Sequence, residues 1–267
     1  MDAKEMTEAR RRPAASALAI NLAVINAIVL RDIRVRSGPY YTGFLMILLM
    51  PLAHLVALLT IYHIFKRLAP VGNDQIVYFG LSILPFVIFL YLSRRIVIAL
   101  QENRPLLFFN RVKVFDIIFA RGVLEAVSCV IVFIFVIFIL DIFSDGFKPR
   151  DWAGILFALF AAIYFGFSFG VINSLIAQIF PFWATVYNLT MPLMWVSSGV
   201  IFFPSNIPEP YNYWIALNPL LQCVEWIRYS YYENYPDRIL NVSYLLSFST
   251  ACLAFGLIGE RLSRRIR

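Results

Sequence analysis

The chain is poor in the residues that do covalent and metal chemistry. Its 267 residues include two histidines and three cysteines. Both histidines, His54 and His63, fall in one apolar run, so no Ser/His/Asp set can be assembled. No Cys, Asp or Glu stands at ligand spacing from them, which argues against a metal site. Cys129, Cys223 and Cys252 show neither metal-ligand spacing nor a disulfide framework, and are expected to be small buried apolar residues. There is no GxxxxGK(S/T) phosphate loop, no HExxH, and no pair of Asp-rich loops to hold a metal–diphosphate. Charge is also scarce, at 15% of residues, and no polar stretch is long enough for a soluble catalytic domain. These absences disfavour an enzyme and exclude nucleotide hydrolysis by the phosphate-loop route.

What the chain has in abundance is apolar length. Hydrophobic residues make up 61% of it, and mean hydropathy is +0.75. Six runs are long enough, or nearly so, to cross a bilayer, by the rule of about 20 residues per helical span. They are Gly43–Phe65, Ile76–Leu92, Gly122–Phe143, Trp152–Gln178, Trp183–Phe203 and Ile239–Gly259. Continuous rather than alternating hydrophobicity predicts helices, not a barrel. The fold class is therefore all-α: a polytopic membrane protein with six transmembrane helices. No short apolar region with a cleavage site follows Arg10, Arg11 and Arg12, so no signal peptide is expected.

The net charge of +7 could point to nucleic acid, but its distribution does not. With six spans both termini share a side. That side holds 17 of the 23 basic residues, and the other holds only Lys66, Arg67, Lys148, Arg150, Arg228 and Arg238. The bias predicts cytosolic termini, with attraction to anionic lipid as a secondary effect.

Outside the spans, several segments carry information. Residues 1–15 are polar. Ser16–Arg36 has an apolar part, Ala17–Leu30, of only about 14 residues, which suits an interfacial rather than a spanning helix. Its basic end, Arg31, Arg34 and Arg36, suits the inner leaflet, and Gly38-Pro39 breaks it. Between the second and third spans, Ser93–Asp116 interleaves basic residues with Leu106, Leu107, Phe108 and Phe109. Asn103 can cap a helix of about two turns there, with Pro105 in its first turn. So short a helix cannot bury Leu-Leu-Phe-Phe against itself. It presses into the bilayer or into a partner protein, with Glu102, Arg104 and Arg111 as a polar rim. Arg121 and Glu125, four apart, read as an ion pair at a membrane entrance.

Gly166 and Gly170 form GxxxG in the fourth span, a spacing that lets helices approach closely. In the fifth, Trp183, Tyr187, Met191, Met194, Trp195 and Ser198 share one face. That face is either packed core or a stacking surface for sugar rings. His54 in the first span either lines a pathway or makes a helix-to-helix hydrogen bond. The segment Pro204–Arg238 contains Asn218-Pro219, a helix start. Leu220, Leu221, Val224, Ile227 and Tyr231 then form an apolar stripe, with Gln222, Glu225 and Arg228 facing elsewhere. Together with a short segment at Tyr211–Leu217, this predicts two helices that dip into the outer leaflet or cap the bundle.

Five segments together carry a family resemblance: LRDIRVRSG, PLAHL, ENRPLLFFNRVKVFD, WVSSGVIFFPSNIPE and NPLLQCVEWIRYSYY. From Ala17 onward the chain resembles the permease subunit of a type-2 ABC exporter, in the capsular polysaccharide branch. Met50 departs from the family, where many relatives have Glu before the proline. The resemblance implies one transmembrane domain: a tail and interfacial helix over 1–42, a six-span bundle over 43–260 and a basic cytosolic tail over 261–267. It implies a homodimer in the bacterial inner membrane, joined to two ATP-binding cassette subunits that hold ATP and Mg, with no cofactor on this chain. It implies export of an anionic, lipid-linked polysaccharide from the cytosol to periplasmic and outer-membrane partners. The Glu102–Arg111 element then resembles the coupling helix. Asn218, Pro219, Glu225, Trp226 and Arg228 belong to helices resembling the external gate. If the cargo is a glycan, His54, Trp183, Tyr187 and Trp195 are candidates for its pathway. An O-polysaccharide, a teichoic-acid-like polymer or a lipophilic drug remain alternative cargoes, and a membrane transferase acting on lipid-linked sugars is the competing class.

Overall fold

A computed structural model describes residues 17–37, 42–66, 68–72, 74–109, 111–144 and 146–266. The expected polar tail, the Gly38-Pro39 break and Arg267 lie outside these residues. The described chain is helical with no strands. In order, the helices are α1 (Ala17–Ser37), α2 (Thr42–Ile64), α3 (Gln75–Glu102), α4 (Val114–Phe143), α5 (Trp152–Ile179), α6 (Trp183–Val196), α7 (Tyr211–Ala216), α8 (Pro219–Tyr231) and α9 (Val242–Ile266). Short 3-10 turns lie at Arg104–Phe108 and Pro204–Asn206.

Among the described residues four helices are long and apolar enough to cross a membrane: α3, α4, α5 and α9 over Val242–Leu262. A shorter apolar stretch, Leu48–Ile64, belongs to α2. The expected fifth span, 183–203, is helical only over the 14 residues of α6. It ends in a turn at Gly199, whose φ of 78° places it in the left-handed region that favours glycine.

The helix ends have local causes. Asp74 starts α3, its side chain accepting from the N–H groups of Ile76 at 2.8 Å and Val77 at 3.2 Å. Asn218 starts α8 by accepting from Leu220 N–H at 2.9 Å, with Pro219 in the first turn. Asp116 accepts the Lys113 N–H at 2.8 Å at the start of α4.

Helix α3 is the axis of the bundle, with 83% of its apolar window buried, against 17% for α9 at the periphery. Around α3 stand α2, α4, α5, α6 and α8, while α1 lies along α4 and α9 along α5. The outer faces stay apolar, as in Val123, Val127, Ile134, Phe135 and Phe138 of α4, all exposed. Lipid rather than water is the solvent these faces suit. The three cysteines are free and buried, as their spacing predicts.

The GxxxG pair is where α5 meets α3. A Cβ on Gly166 would lie 3.3 Å from the backbone of Phe89, and one on Gly170 would lie 2.9 Å from Ile96 Cβ and 3.2 Å from the Ser93 backbone. Phe89 and Phe165 stack beside this contact with centroids 4.8 Å apart. Gly170→Leu is expected to destabilise the bundle by roughly 1–3 kcal/mol, as overpacking does. Thermal unfolding of the detergent-solubilised protein checks this, and an unchanged midpoint would show that the two helices do not rely on close approach there.

Candidate functional site

Four polar or charged groups converge on one cavity between α2, α3 and α6. The cavity has a volume of about 310 Å³, and His54, Arg94, Asn188 and Trp195 line it with Phe86 and Met191. Phe86, Leu90 and Arg94 recur at four-residue steps, so α3 turns one stripe toward it. The half-buried His54 ring meets the Phe86 and Tyr91 rings edge-on, with centroids 6.4 and 6.1 Å apart. The Trp195 indole N–H has no hydrogen-bond partner among the described residues. Aromatic faces, an imidazole, an amide and a guanidinium are the chemistry that holds a polyhydroxylated, anionic ligand.

The other two aromatic candidates lie elsewhere. Tyr187 is in the bundle core, where its hydroxyl donates to Ser93 Oγ at 2.6 Å. The Trp183 indole donates to Asn173 Oδ1 at 2.9 Å. The shared face of α6 is thus mainly its packing face toward α3 and α5, and only Met191 and Trp195 of it reach the cavity. Arg94 and Asn188 were missed because Arg94 counted only as an orientation charge. The four-residue stripe ending at Arg94 was the available signal.

The segment after α3 differs from the expected two-turn helix. It is a single 3-10 stretch of five residues, and Asn103 makes no side-chain cap to it. Asn103 turns inward instead, donating to Ala99 O at 2.9 Å and accepting from Arg31. Leu106 and Leu107 are half-buried against the core, so the exposed apolar cluster reduces to Phe108 and Phe109, 86% and 62% exposed. Arg104 and Arg111 are exposed beside them. Glu102 is a structural partner as well as a rim residue. It accepts from the buried Arg121 at 2.7 Å, and Arg121 also lies 3.4 Å from Asp32 of α1. Arg121, one half of the sequence-predicted entrance pair, thus belongs to a cluster that ties α1, the end of α3 and the start of α4 together.

Helix α8 departs most from expectation. Its polar face is buried along with its apolar stripe, rather than turned away from the packed bundle. Glu225 and Arg228 are 1% and 0% exposed. Arg228 donates to Ser82 Oγ at 2.8 Å, to Gly199 O at 2.9 Å and to Glu225 at 3.2 Å. Its guanidinium lies 4.4 Å from the Tyr78 ring centroid. Tyr235 donates to Glu225 at 2.7 Å, and burial pushes its phenol up, so it stays protonated for that role. Gln222 bridges the Ala216 carbonyl and the Asn241 N–H, both at 2.7 Å. Asn218 also donates to Ser197 at 2.9 Å, and Trp226 is half-buried. Burying this face is tolerable because partners from α3, the α6–α7 connection and the segment after α8 answer most of it, leaving Glu225 Oε2 without a hydrogen bond among the described residues.

No group of three or more metal-ligating side chains occurs among the described residues. A helical bundle with membrane-length apolar helices defines an integral membrane protein. No protein-family model matches the chain. Individual relatives are specific, however. It is 28% identical over 245 residues to the polysialic acid transport protein KpsM of Escherichia coli, covering 91% of this chain and 95% of that one. It is 28% identical over 257 residues to the capsule polysaccharide export inner-membrane protein CtrC of Neisseria meningitidis serogroup A, covering 94% and 95%. It is 27% identical over 246 residues to the capsule polysaccharide export inner-membrane protein BexB of Haemophilus influenzae, covering 90% and 91%. The chain is homologous, nearly end to end, to a polysialic acid transport protein and to inner-membrane proteins of capsule polysaccharide export, which bears out the resemblance read from its motifs. These relatives are named for transport and export, not for catalysis.

Proposed function

We propose that this chain is the transmembrane subunit of an ATP-driven exporter that moves an anionic, lipid-linked capsular polysaccharide out of the cytosol. The observation that carries the reading is the homology over nine-tenths of the chain to capsule polysaccharide export proteins. The subunit is one transmembrane domain in the bacterial inner membrane, with both termini cytosolic, as its basic asymmetry favours. Six crossings are formed by α2 to α6 and α9. At 1.5 Å per residue the 14 residues of α6 reach about 21 Å. The buried turn at Ser198, Gly199 and Val200 carries the chain further, which non-helical backbone can do where protein surrounds it.

Two copies form a homodimer, because a polymer needs a passage wider than the spacing of packed helices, and a two-fold axis supplies one. The cavity at His54 and Trp195 belongs to that passage, with Arg94 and Asn188 added to it. Trp183 and Tyr187 position α6 from behind. Glu102–Arg111 docks on each of two ATP-binding cassette subunits, which hold ATP and Mg, while Asn218, Pro219, Glu225, Trp226 and Arg228 anchor the external gate. Lipids surround the bundle, periplasmic and outer-membrane proteins receive the polymer, and nucleic acid has no part. Cells lacking this chain are expected to synthesise polymer but retain it inside. A plasmid copy restores export, and a His54→Ala, Trp195→Ala copy restores only about a fifth to a hundredth of it, given roughly 0.5–1.5 kcal/mol for each aromatic ring removed from the passage. Surface polysaccharide measured by antibody or dye reads this out. Normal surface polymer without the chain would overturn the function, and full restoration by the double variant would overturn the pathway.

A further inference from the structure

A second cavity of about 310 Å³ lies between α2, α3 and α4, away from Trp195. Its walls are mostly apolar, with Met50, Val87, Ile88 and Val132 among them, and Arg94 and Arg95 stand over it. Arg94 borders both cavities, while Arg95 borders this one alone. Arg94 is exposed and Arg95 half-buried. One buried carboxylate, Glu125, and the Ser128 hydroxyl share the wall, so the cavity carries net positive charge. Its rim opens on the outer surface of the bundle, where Met46 and Met50 are 52% and 57% exposed.

The depth of the arginines is informative. Eighteen residues separate Ile76 from Arg94 along α3, about 27 Å at 1.5 Å per residue, close to the hydrocarbon thickness of about 30 Å. Two cations therefore stand at headgroup level over an apolar hollow that faces lipid. Guanidinium is the side chain best matched to phosphate oxygens, and basic pockets between transmembrane helices on the cytosolic side suit anionic headgroups.

We propose that this cavity is a binding site for a resident phospholipid with an anionic headgroup, its phosphate on Arg95 and Arg94 and an acyl chain along Met50, Val87 and Val132. Phosphate alone would leave the apolar walls unfilled. A zwitterionic lipid would add a cation beside two already present. The proposal rests on the reading of α3 as a span with its Arg94 end cytosolic, but not on export activity.

The test uses the full chain purified in mild detergent from cells that make polysaccharide and from cells that do not. Native mass spectrometry should find phosphatidylglycerol retained from both. After delipidation, added phosphatidylglycerol should raise the unfolding temperature, while phosphatidylcholine and inorganic phosphate should not. Arg95→Gln should weaken phosphatidylglycerol binding about tenfold, as removing one charge-assisted hydrogen bond does, and Arg95→Lys should restore part of it. Arg34→Gln, a change at an exposed cation on α1, should bind like the parent. Equal stabilisation by phosphatidylcholine, stabilisation by inorganic phosphate alone, or unchanged binding by Arg95→Gln would overturn the proposal. So would lipid retained only from polysaccharide-making cells, which would assign the site to the lipid end of the cargo. Binding is read without transport, so its failure and a failure of the export reading are distinguishable.

Discussion

The Phe108→Asp, Phe109→Asp variant is expected to insert into the membrane and accumulate like the parent, yet to lose both an ATP-binding subunit and polysaccharide export. Phe108 and Phe109 are 86% and 62% exposed at the end of α3. Nothing in the fold depends on them, so charge there should leave the bundle intact. The segment that presents them is fixed by Pro105, by Leu106 and Leu107 anchored in the core, and by backbone bonds from Phe109 N–H to Leu106 O at 3.1 Å and Val112 N–H to Phe109 O at 2.9 Å. A fixed pair of exposed phenyl rings between Arg104 and Arg111 has the anatomy of an interface core with a polar rim. Burying each ring on a partner is worth about 1.5–3 kcal/mol, so removing both weakens docking by roughly two to four orders of magnitude. The cluster of Arg121, Glu102 and Asp32, with Arg31 on Asn103, gives motion at this contact a route into α1 and α4. Affinity purification with the ATP-binding subunit, alongside surface polymer, checks the prediction. Undiminished co-purification would assign Phe108 and Phe109 to the lipid surface.

The second large effect is expected at Arg228. Arg228→Met should lower stability by about 3–5 kcal/mol, the usual result of removing one partner from a buried ion pair. Glu225 would then keep a buried charge with only Tyr235 to answer it. Arg228→Lys should recover little, because a single ammonium cannot reach Ser82, Gly199 and Glu225 at once while lying over Tyr78. Arg228→Met combined with Glu225→Gln should recover part of the deficit, since the two residues act as one unit. Membrane accumulation and fluorescence-detected unfolding measure all three. Parental stability in Arg228→Met would show that α8 is not held by this network.

Much of the fold was legible in the sequence because bilayer length is a strong constraint. The runs beginning at Ile76, Gly122 and Trp152 are too long and too apolar to be anything but spanning helices. Asn218-Pro219 announced α8 correctly, since an Asn cap followed by Pro is a local signal that tertiary contacts seldom override. GxxxG likewise marked the α3–α5 contact, because only glycine admits a backbone that close. What was not legible shares a cause. In the 183–203 run, hydropathy does not register the Gly199 turn that follows the end of α6. Asn103 reads as a cap by its neighbours, but Arg31, 72 positions away, claims its side chain.

For this protein the sequence alone determined the helical membrane class and the resemblance to capsule polysaccharide export proteins, because each rests on composition, local periodicity or motif. Tertiary structure alone decided which polar groups meet. Ser82 and Arg228 are 146 positions apart, Ser93 and Tyr187 are 94, and Glu102, Asp32 and Arg121 come from three different helices. In an apolar medium a buried charge is tolerated only where its partners are delivered to it. That delivery is set by how the helices pack, not by the residues beside it in the chain. The same packing left Phe108 and Phe109 uncovered and brought His54, Arg94, Asn188 and Trp195 to one cavity.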